Sequence, residues 1–232
     1  MKRRADFDDR PSKAQRTRSA HRLPTARLLE GLGTEALVGM LHTLSQRHPE
    51  LDDEMRALVP RPSLHSTLAK LHDLSDKITQ AFPYGGDPAG EYAHQRVQPC
   101  VHDLLAALED YTPHFLLPLE QQPMVSLAYL DGVSALLHKL PGWATRAHNA
   151  PRRGAYEAVA RAWITTIKEA AKRGGGVGLV AGGWLEKIQR HDALADGLLQ
   201  DVVQTARDEL GWLGTGRTLL TPSPQPQLKT WA

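Results

Sequence analysis

Apolar residues in this chain recur at three- and four-residue spacing, and no stretch of useful length alternates apolar with polar. The first pattern places side chains on one face of a helix. The second, which a half-buried strand requires, is missing. That property confines the fold to packed helices. Leu (34) and Ala (28) also far outnumber Val (11) and Ile (4). The first pair favour helix and the β-branched pair favour strand. The fold class expected is all-α, in a chain whose 232 residues suffice for one large domain or two small ones.

Candidate helices follow in order. Ala36, Leu37, Met40, Leu41 and Leu44 form a stripe after a candidate N-cap, Thr34, and His48-Pro49 stops it, since proline disfavours helix in the residue before it. A short helix is expected from about Glu50 to Val59, ending at Pro60-Arg61-Pro62. Ser63 is placed to cap the next, where Leu64, Leu68, Leu71, Leu74, Ile78 and Phe82 share one face. A helix from about Ala89 to Tyr111 carries Val101, Leu104, Leu105 and Leu108, and Pro99 should kink or divide it. Thr112 to Pro123 reads as an ordered connector.

Met124 to Leu140 is apolar almost all round, as expected of a central helix packed on several sides. Residues 141–151 read as a loop. Tyr156, Val159, Trp163, Ile167 and Ala170 mark the next face. Six glycines in Gly174 to Gly183 must interrupt it. Another helical stretch begins at Leu185 and Ile188. A last stripe runs through Leu194, Leu198, Val202, Ala206 and Leu210. The expected organisation is a disordered basic arm over residues 1–22, a helical bundle over 23–213, and a Pro-rich tail over 214–232.

Charge separates the arm from the body. Residues 1–27 hold nine Lys/Arg against three Asp, a balance of +6, and the remainder holds 19 basic and 23 acidic residues, a balance of −4. Like charge at this density with little apolar surface does not offset the entropy of ordering. Lys2-Arg3 (with Arg4), a nine-residue spacer, then Lys13, Arg16 and Arg18 approximate a bipartite nuclear-import signal. Basic segments also bind nucleic acid and anionic lipid. Phe7 is the arm's one aromatic residue, which argues against single-strand binding by base stacking. Ser12, Thr17 and Ser19 are positions where a phosphate would weaken the positive field.

The sequence restricts chemistry. Its one cysteine, Cys100, excludes an internal disulfide framework and an all-cysteine zinc site, and fits a reducing compartment. No apolar run is long enough to span a membrane, and the basic amino terminus lacks a signal peptide's apolar stretch. Gly176-Val177-Gly178-Leu179-Val180-Ala181 matches a loose dinucleotide fingerprint, but that loop needs a strand before it and a helical pattern precedes it instead. It reads as a helix connector. Among eleven histidines, none falls in an H-x-x-x-H pair beside an acid. They read as surface or capping groups. Ser134 lacks the second glycine of a nucleophile elbow. Trp143, Trp163 and Trp184 read as packing anchors, and Asp131, if buried, must be paired.

Several blocks occur in the order found in one family. His48-Pro49-Glu50-Leu51, Val59-Pro60-Arg61-Pro62 and Ala81-Phe82-Pro83-Tyr84-Gly85 come first. Tyr92-Ala93-His94-Gln95-Arg96-Val97-Gln98-Pro99 and Asp110-Tyr111-Thr112-Pro113-His114-Phe115 follow. Then come His138-Lys139-Leu140-Pro141-Gly142-Trp143, Ala162-Trp163 and Gly182-Gly183-Trp184-Leu185-Glu186-Lys187. Over residues 24–212 the chain resembles the fungal tethering factors for the nuclear proteasome.

The resemblance implies a six-helix bundle similar in outline to 14-3-3 proteins, and an adaptor that is not an enzyme and uses no cofactor. It implies that the chain holds the 26S proteasome in the nucleus or at the nuclear envelope, bridges it to an importin-alpha-type import receptor, and supports ubiquitin-dependent degradation of nuclear proteins. The protein would then be found in nucleus and cytoplasm. The arm would contact the proteasome and carry ubiquitin, for which Lys2 and Lys13 are the acceptors available; arginine keeps the charge but accepts no ubiquitin. The adjacent segment would support a homodimer and the bundle would touch nuclear-envelope lipid, with no specific nucleic acid expected. Two alternatives stand beside this: a helical nucleic-acid- or phosphopeptide-binding module, and a small-molecule enzyme using the Gly174–Gly183 loop.

Overall fold

The computed structural model describes residues 24–174 and 176–215, with side chains through Glu209. Every regular element among them is helical, as the periodicity requires. The chain divides into two compact units, one ending at Pro60 and the other starting at Arg61. The break falls in the Pro60-Arg61-Pro62 segment, where neither proline can donate a backbone hydrogen bond.

The first unit contains α1 (Thr25–Glu30), α2 (Thr34–Arg47), a 3-10 turn at Pro49–Leu51 and α3 (Asp52–Leu58). Thr34 is not the cap of α2. The extended residue is Gly33, whose carbonyl accepts from the Leu37 amide at 3.0 Å, so Thr34 is already helical. The helix stops at His48, forced out of helical geometry by Pro49. Asp52, Asp53 and Glu54 fill the first turn of α3, where the helix dipole favours negative charge. None of this unit's described residues is buried.

The second unit holds α4 (Leu64–Ala81), α5 (Glu91–Tyr111), a 3-10 turn at Thr112–Phe115 and α6 (Pro123–Leu137). A second 3-10 turn at Arg146–Asn149 leads into α7 (Ala150–Lys172), followed by α8 (Gly176–Ala181), α9 (Trp184–Leu194) and α10 (Gln200–Thr215). Ser63 caps α4 as expected, its Oγ accepting from the Ser66 amide at 3.1 Å. Leu71 and Ile78 are buried, and Leu64, Leu68, Leu74 and Phe82 pack partly buried beside them. The predicted face of α4 is therefore the real one.

α6 is the central helix. Leu127, Tyr129, Leu130, Val133, Ser134, Leu136 and Leu137 are all at 0–1% exposure, apolar or satisfied on every side. At Gly132 an added Cβ would lie 2.7 Å from Leu68 Cδ2, so α4 and α6 approach closely only because that position has no side chain.

Three further expectations are sharpened or corrected. Of the kink or division expected at Pro99, division does not occur, since α5 runs through it as one helix. Gln95 and Pro99 are both exposed, so water can serve the carbonyl that loses its donor. The loop expected to reach residue 151 is shorter, because Pro151 sits in the first turn of α7, where its missing N–H costs no helical bond. The last stripe is not one face. The chain turns between α9 and α10, leaving Leu194 and Leu198 exposed while Leu199, Val202, Val203 and Ala206 enter the core. Asp196 at φ 53 and Gly197 at φ 81 make that turn, and Asp192 Oδ1 accepts from the Leu199 amide at 2.9 Å.

Candidate functional site

The basic residues singled out in the arm, Lys2, Arg3, Arg4, Lys13, Arg16 and Arg18, lie outside the described residues. The expectations of an import signal, of ubiquitin acceptors and of arm disorder fall there too, as does the part of the expected Pro-rich tail from residue 216 onward. The described residues offer four further features: an exposed apolar surface on the first unit, a groove on the bundle, a carboxylate–histidine cluster, and a partly buried polar chain.

Among the described residues of the first unit, several large apolar side chains are exposed. Leu28 and Leu32 follow from α1, Val38, Met40, Leu41 and Leu44 from α2, and Leu58 from α3; each is at least 40% exposed. Helices this short are marginal alone in water, so such a surface is suited to association.

On the second unit an apolar groove of about 820 Å³ lies between the end of α5, the connector around Leu116–Leu119, and α7. A smaller recess of about 250 Å³ shares Leu116, Leu117 and Arg161 with it and continues to Glu120 and Glu169. The connector wall is pinned near its C-terminal end. Arg61 Nη1 donates to the Leu119 carbonyl at 3.1 Å, and Arg173 Nη1 donates to the Gln121 carbonyl at 2.8 Å. Within this lining, Arg161 is the one guanidinium, and Glu109, Glu120 and Glu169 are its carboxylates. That balance does not resemble an anion or phosphate pocket.

Glu91, His94 and His148 come together at the start of α5. His148 Nδ1 is 3.7 Å from the Glu91 carboxylate, and the two imidazoles stack with centroids 3.7 Å apart and planes 3° from parallel. A ring nitrogen binds metal along a lone pair lying in the ring plane. Two parallel, stacked rings therefore cannot both direct that lone pair at one ion. The cluster instead fastens the 141–149 loop. His94 meets Trp143 edge-on at 5.0 Å, the Ala144 amide donates to the Ala89 carbonyl at 3.0 Å, and Asn149 bonds both backbone groups of Trp143.

Sequence reasoning expected Asp131 to need a partner, and it has one. Asp131 Oδ1 and His191 Nε2 are 2.8 Å apart, His191 Nδ1 and His138 Nε2 are 2.8 Å apart, and His138 Nδ1 and the Tyr156 hydroxyl are 2.8 Å apart. Three consecutive hydrogen bonds thus join α6, its C-terminal cap, α7 and α9. Burial and the neighbouring His191 and Arg152 charges push His138 down to about 4. The bond from His191 holds Asp131 below the usual carboxylate range. Sequence reasoning missed this chain of partners because it joins residues up to 60 positions apart. The available signal was Asp131 and His138 seven apart on the most apolar helix, hence on one face.

The nucleophile candidates are structural. Ser134 Oγ accepts the Trp163 indole N–H at 3.1 Å with both side chains buried. Cys100 packs partly buried against the core. Trp143, Trp163 and Trp184 are buried anchors as expected. The glycine-rich segment lies between α7 and α9, and its Gly176–Ala181 fingerprint is itself the short helix α8 where a connector was expected; no strand precedes it among the described residues. It lacks the frame a pyrophosphate site requires. No helix among the described residues is long and apolar enough to cross a membrane.

Residues 1–211 match the family model described as "Cut8, nuclear proteasome tether protein". The chain is also similar to two curated fungal proteins, each named "Tethering factor for nuclear proteasome sts1", from Pyrenophora teres f. teres (strain 0-1) and Pyrenophora tritici-repentis (strain Pt-1C-BFP). Each is 44% identical over 206 residues, covering 88% of this chain and 66% of the relative. The chain thus spans just under two thirds of the length of these relatives.

Proposed function

Because the chain belongs to the Cut8 family of nuclear proteasome tether proteins, we propose that it is a non-enzymatic adaptor that holds the 26S proteasome in the nucleus. The observation that carries this reading is the family match over residues 1–211, which takes in both the basic arm and the helical body. The arm supplies the address. Its two cationic clusters, Lys2-Arg3-Arg4 and Lys13 to Arg18, suit an importin-alpha-type receptor, which the adaptor bridges to the proteasome. A segment ordered only on binding serves several partners in succession at modest affinity. Ubiquitin on Lys2 or Lys13 would strengthen the proteasome contact and couple the adaptor to degradation of nuclear proteins. A protein carried by an import receptor spends part of its life in the cytoplasm and the rest in the nucleus, here at the envelope, where the bundle touches lipid.

The adaptor works as a homodimer. The exposed apolar residues of α1 to α3 supply the contact, and two arms per dimer raise avidity with no new interaction. The groove's apolar lining and its excess of carboxylates over guanidinium groups disfavour the phosphopeptide reading. The nucleotide-enzyme reading is disfavoured by the helical setting of the glycine loop.

The test is affinity capture of intact 26S proteasomes and of the import receptor by the full chain, compared with a chain lacking residues 1–22. The reading expects both to be captured by the full chain and receptor capture to be lost on deletion. Failure of the full chain to retain proteasomes would overturn it.

A further inference from the structure

We propose that Asp131, His191, His138 and Tyr156 form a partly buried proton-binding relay in which a proton taken up at His191 reverses the direction of every hydrogen bond between that ring and Tyr156. The geometry forces this. An ionised carboxylate only accepts, so the 2.8 Å contact with Asp131 requires a hydrogen on His191 Nε2. In neutral His191 the other nitrogen, Nδ1, is then an acceptor. His138 Nε2, 2.8 Å away, must donate to it, which leaves His138 Nδ1 as an acceptor. The Tyr156 hydroxyl, 2.8 Å from that atom, therefore donates. All three bonds run one way, from tyrosine to carboxylate, and every ring nitrogen is satisfied.

Adding one proton to His191 makes both of its nitrogens donors. His138 Nε2 must then accept, so the His138 proton moves to Nδ1 and is donated to the Tyr156 oxygen. His138 stays neutral throughout while exchanging one tautomer for the other. Its low affinity for a second proton agrees: burial lowers it most, and the neighbouring His191 charge lowers it further. The relay is open to water at one end and closed at the other. Asp131's side chain is 36% exposed, whereas His191 is 7% and Tyr156 1% exposed.

Charged groups face the relay from each side. Lys187 and Arg190 on α9 face Asp131, Arg152 on α7 faces His138 and Tyr156, and Asp196 in the α9–α10 turn lies on the Tyr156 side. On protonation the Tyr156 hydroxyl gives up its donation to His138. Asp196 acts on Tyr156 through its charge alone. A proton bound beside α9 is thus communicated to Tyr156 on α7.

The test is nitrogen-15 NMR of the histidine rings in the full chain between pH 8 and pH 4, in wild type and in Tyr156→Phe. At high pH both rings should show the Nε2–H tautomer. As His191 titrates, His138 should change to the Nδ1–H tautomer at the same midpoint without becoming charged. Tyr156→Phe removes a hydroxyl that serves as donor in one direction and as acceptor in the other, so the tautomer change at His138 should persist in it, driven by the His191 contact alone. A His138 ring that keeps one tautomer while His191 gains its proton would overturn the proposal.

Discussion

Trp163 donates its indole N–H to Ser134 Oγ at 3.1 Å, and both side chains are shut off from solvent where α7 crosses α6. The serine that a motif search would weigh as a nucleophile is the acceptor for the largest fully buried side chain of the bundle. Ser134→Ala leaves that N–H without a partner. The expected loss of stability is about 1–3 kcal/mol, seen as a lower urea midpoint with an unchanged slope.

Leu71 on α4 and Leu137 at the end of α6 are both fully buried. Leu71→Ala and Leu137→Ala should each destabilise by about 2–5 kcal/mol, the range for truncating a core leucine. Leu41→Ala, at a position 46% exposed on α2, should change the unfolding of the second unit by less than about 0.5 kcal/mol. Urea titrations of the three variants check the ranking.

Gly182 lies against Trp184. A Cβ there would come within 2.5 Å of the indole nitrogen and 3.1 Å of the Gly178 carbonyl oxygen. Gly182→Ala should cost about 1–3 kcal/mol through forced repacking of Trp184. Tryptophan fluorescence should shift with it. The same loop should bind no dinucleotide, so adding one should leave the melting temperature unmoved.

Stability should fall with acid in a defined direction. His138 has a folded-state value near 4 against an ordinary 6.5, so below 6.5 the unfolded chain binds a proton that the folded chain refuses. Its contribution is complete above 6.5 and is lost as pH falls toward 4. Asp131, held low by His191, acts in the same direction at lower pH, because the unfolded carboxylate takes its proton first. Urea midpoints measured at pH 7, 6, 5 and 4 should decrease in that order. A profile flat to pH 4 would contradict this account.

Deleting residues 1–22 should leave helical content and melting temperature nearly unchanged and abolish nuclear accumulation. Circular dichroism and imaging of the tagged protein check the two halves separately. A large fall in melting temperature would mean that the arm packs on the helices.

How much was legible in the sequence depended on how local the cause was. The face of α4, the cap at Ser63 and the burial of α6 follow from spacing within a few turns, and they were read correctly. Leu194 and Leu198 were misplaced because the turn at Asp196-Gly197 breaks a pattern that looks continuous when only apolar positions are counted. Pro99 raises the prospect of a kink or a division because its lost hydrogen bond is local. What keeps α5 whole is the burial of Ala93, Val97, Leu104 and Leu108 on the opposite face, against other helices. The relay from Asp131 to Tyr156 was out of reach because its partners lie on separate helices. Histidine spacing within one helix says nothing about it.

The central claim is tethering, and the most direct measurement is the distribution of proteasomes between nucleus and cytoplasm in cells depleted of this protein. The account predicts that the nuclear share falls while total proteasome peptidase activity is unchanged, and that the full chain restores the share while a chain lacking residues 1–22 does not. A nuclear share that stays the same on depletion would contradict it.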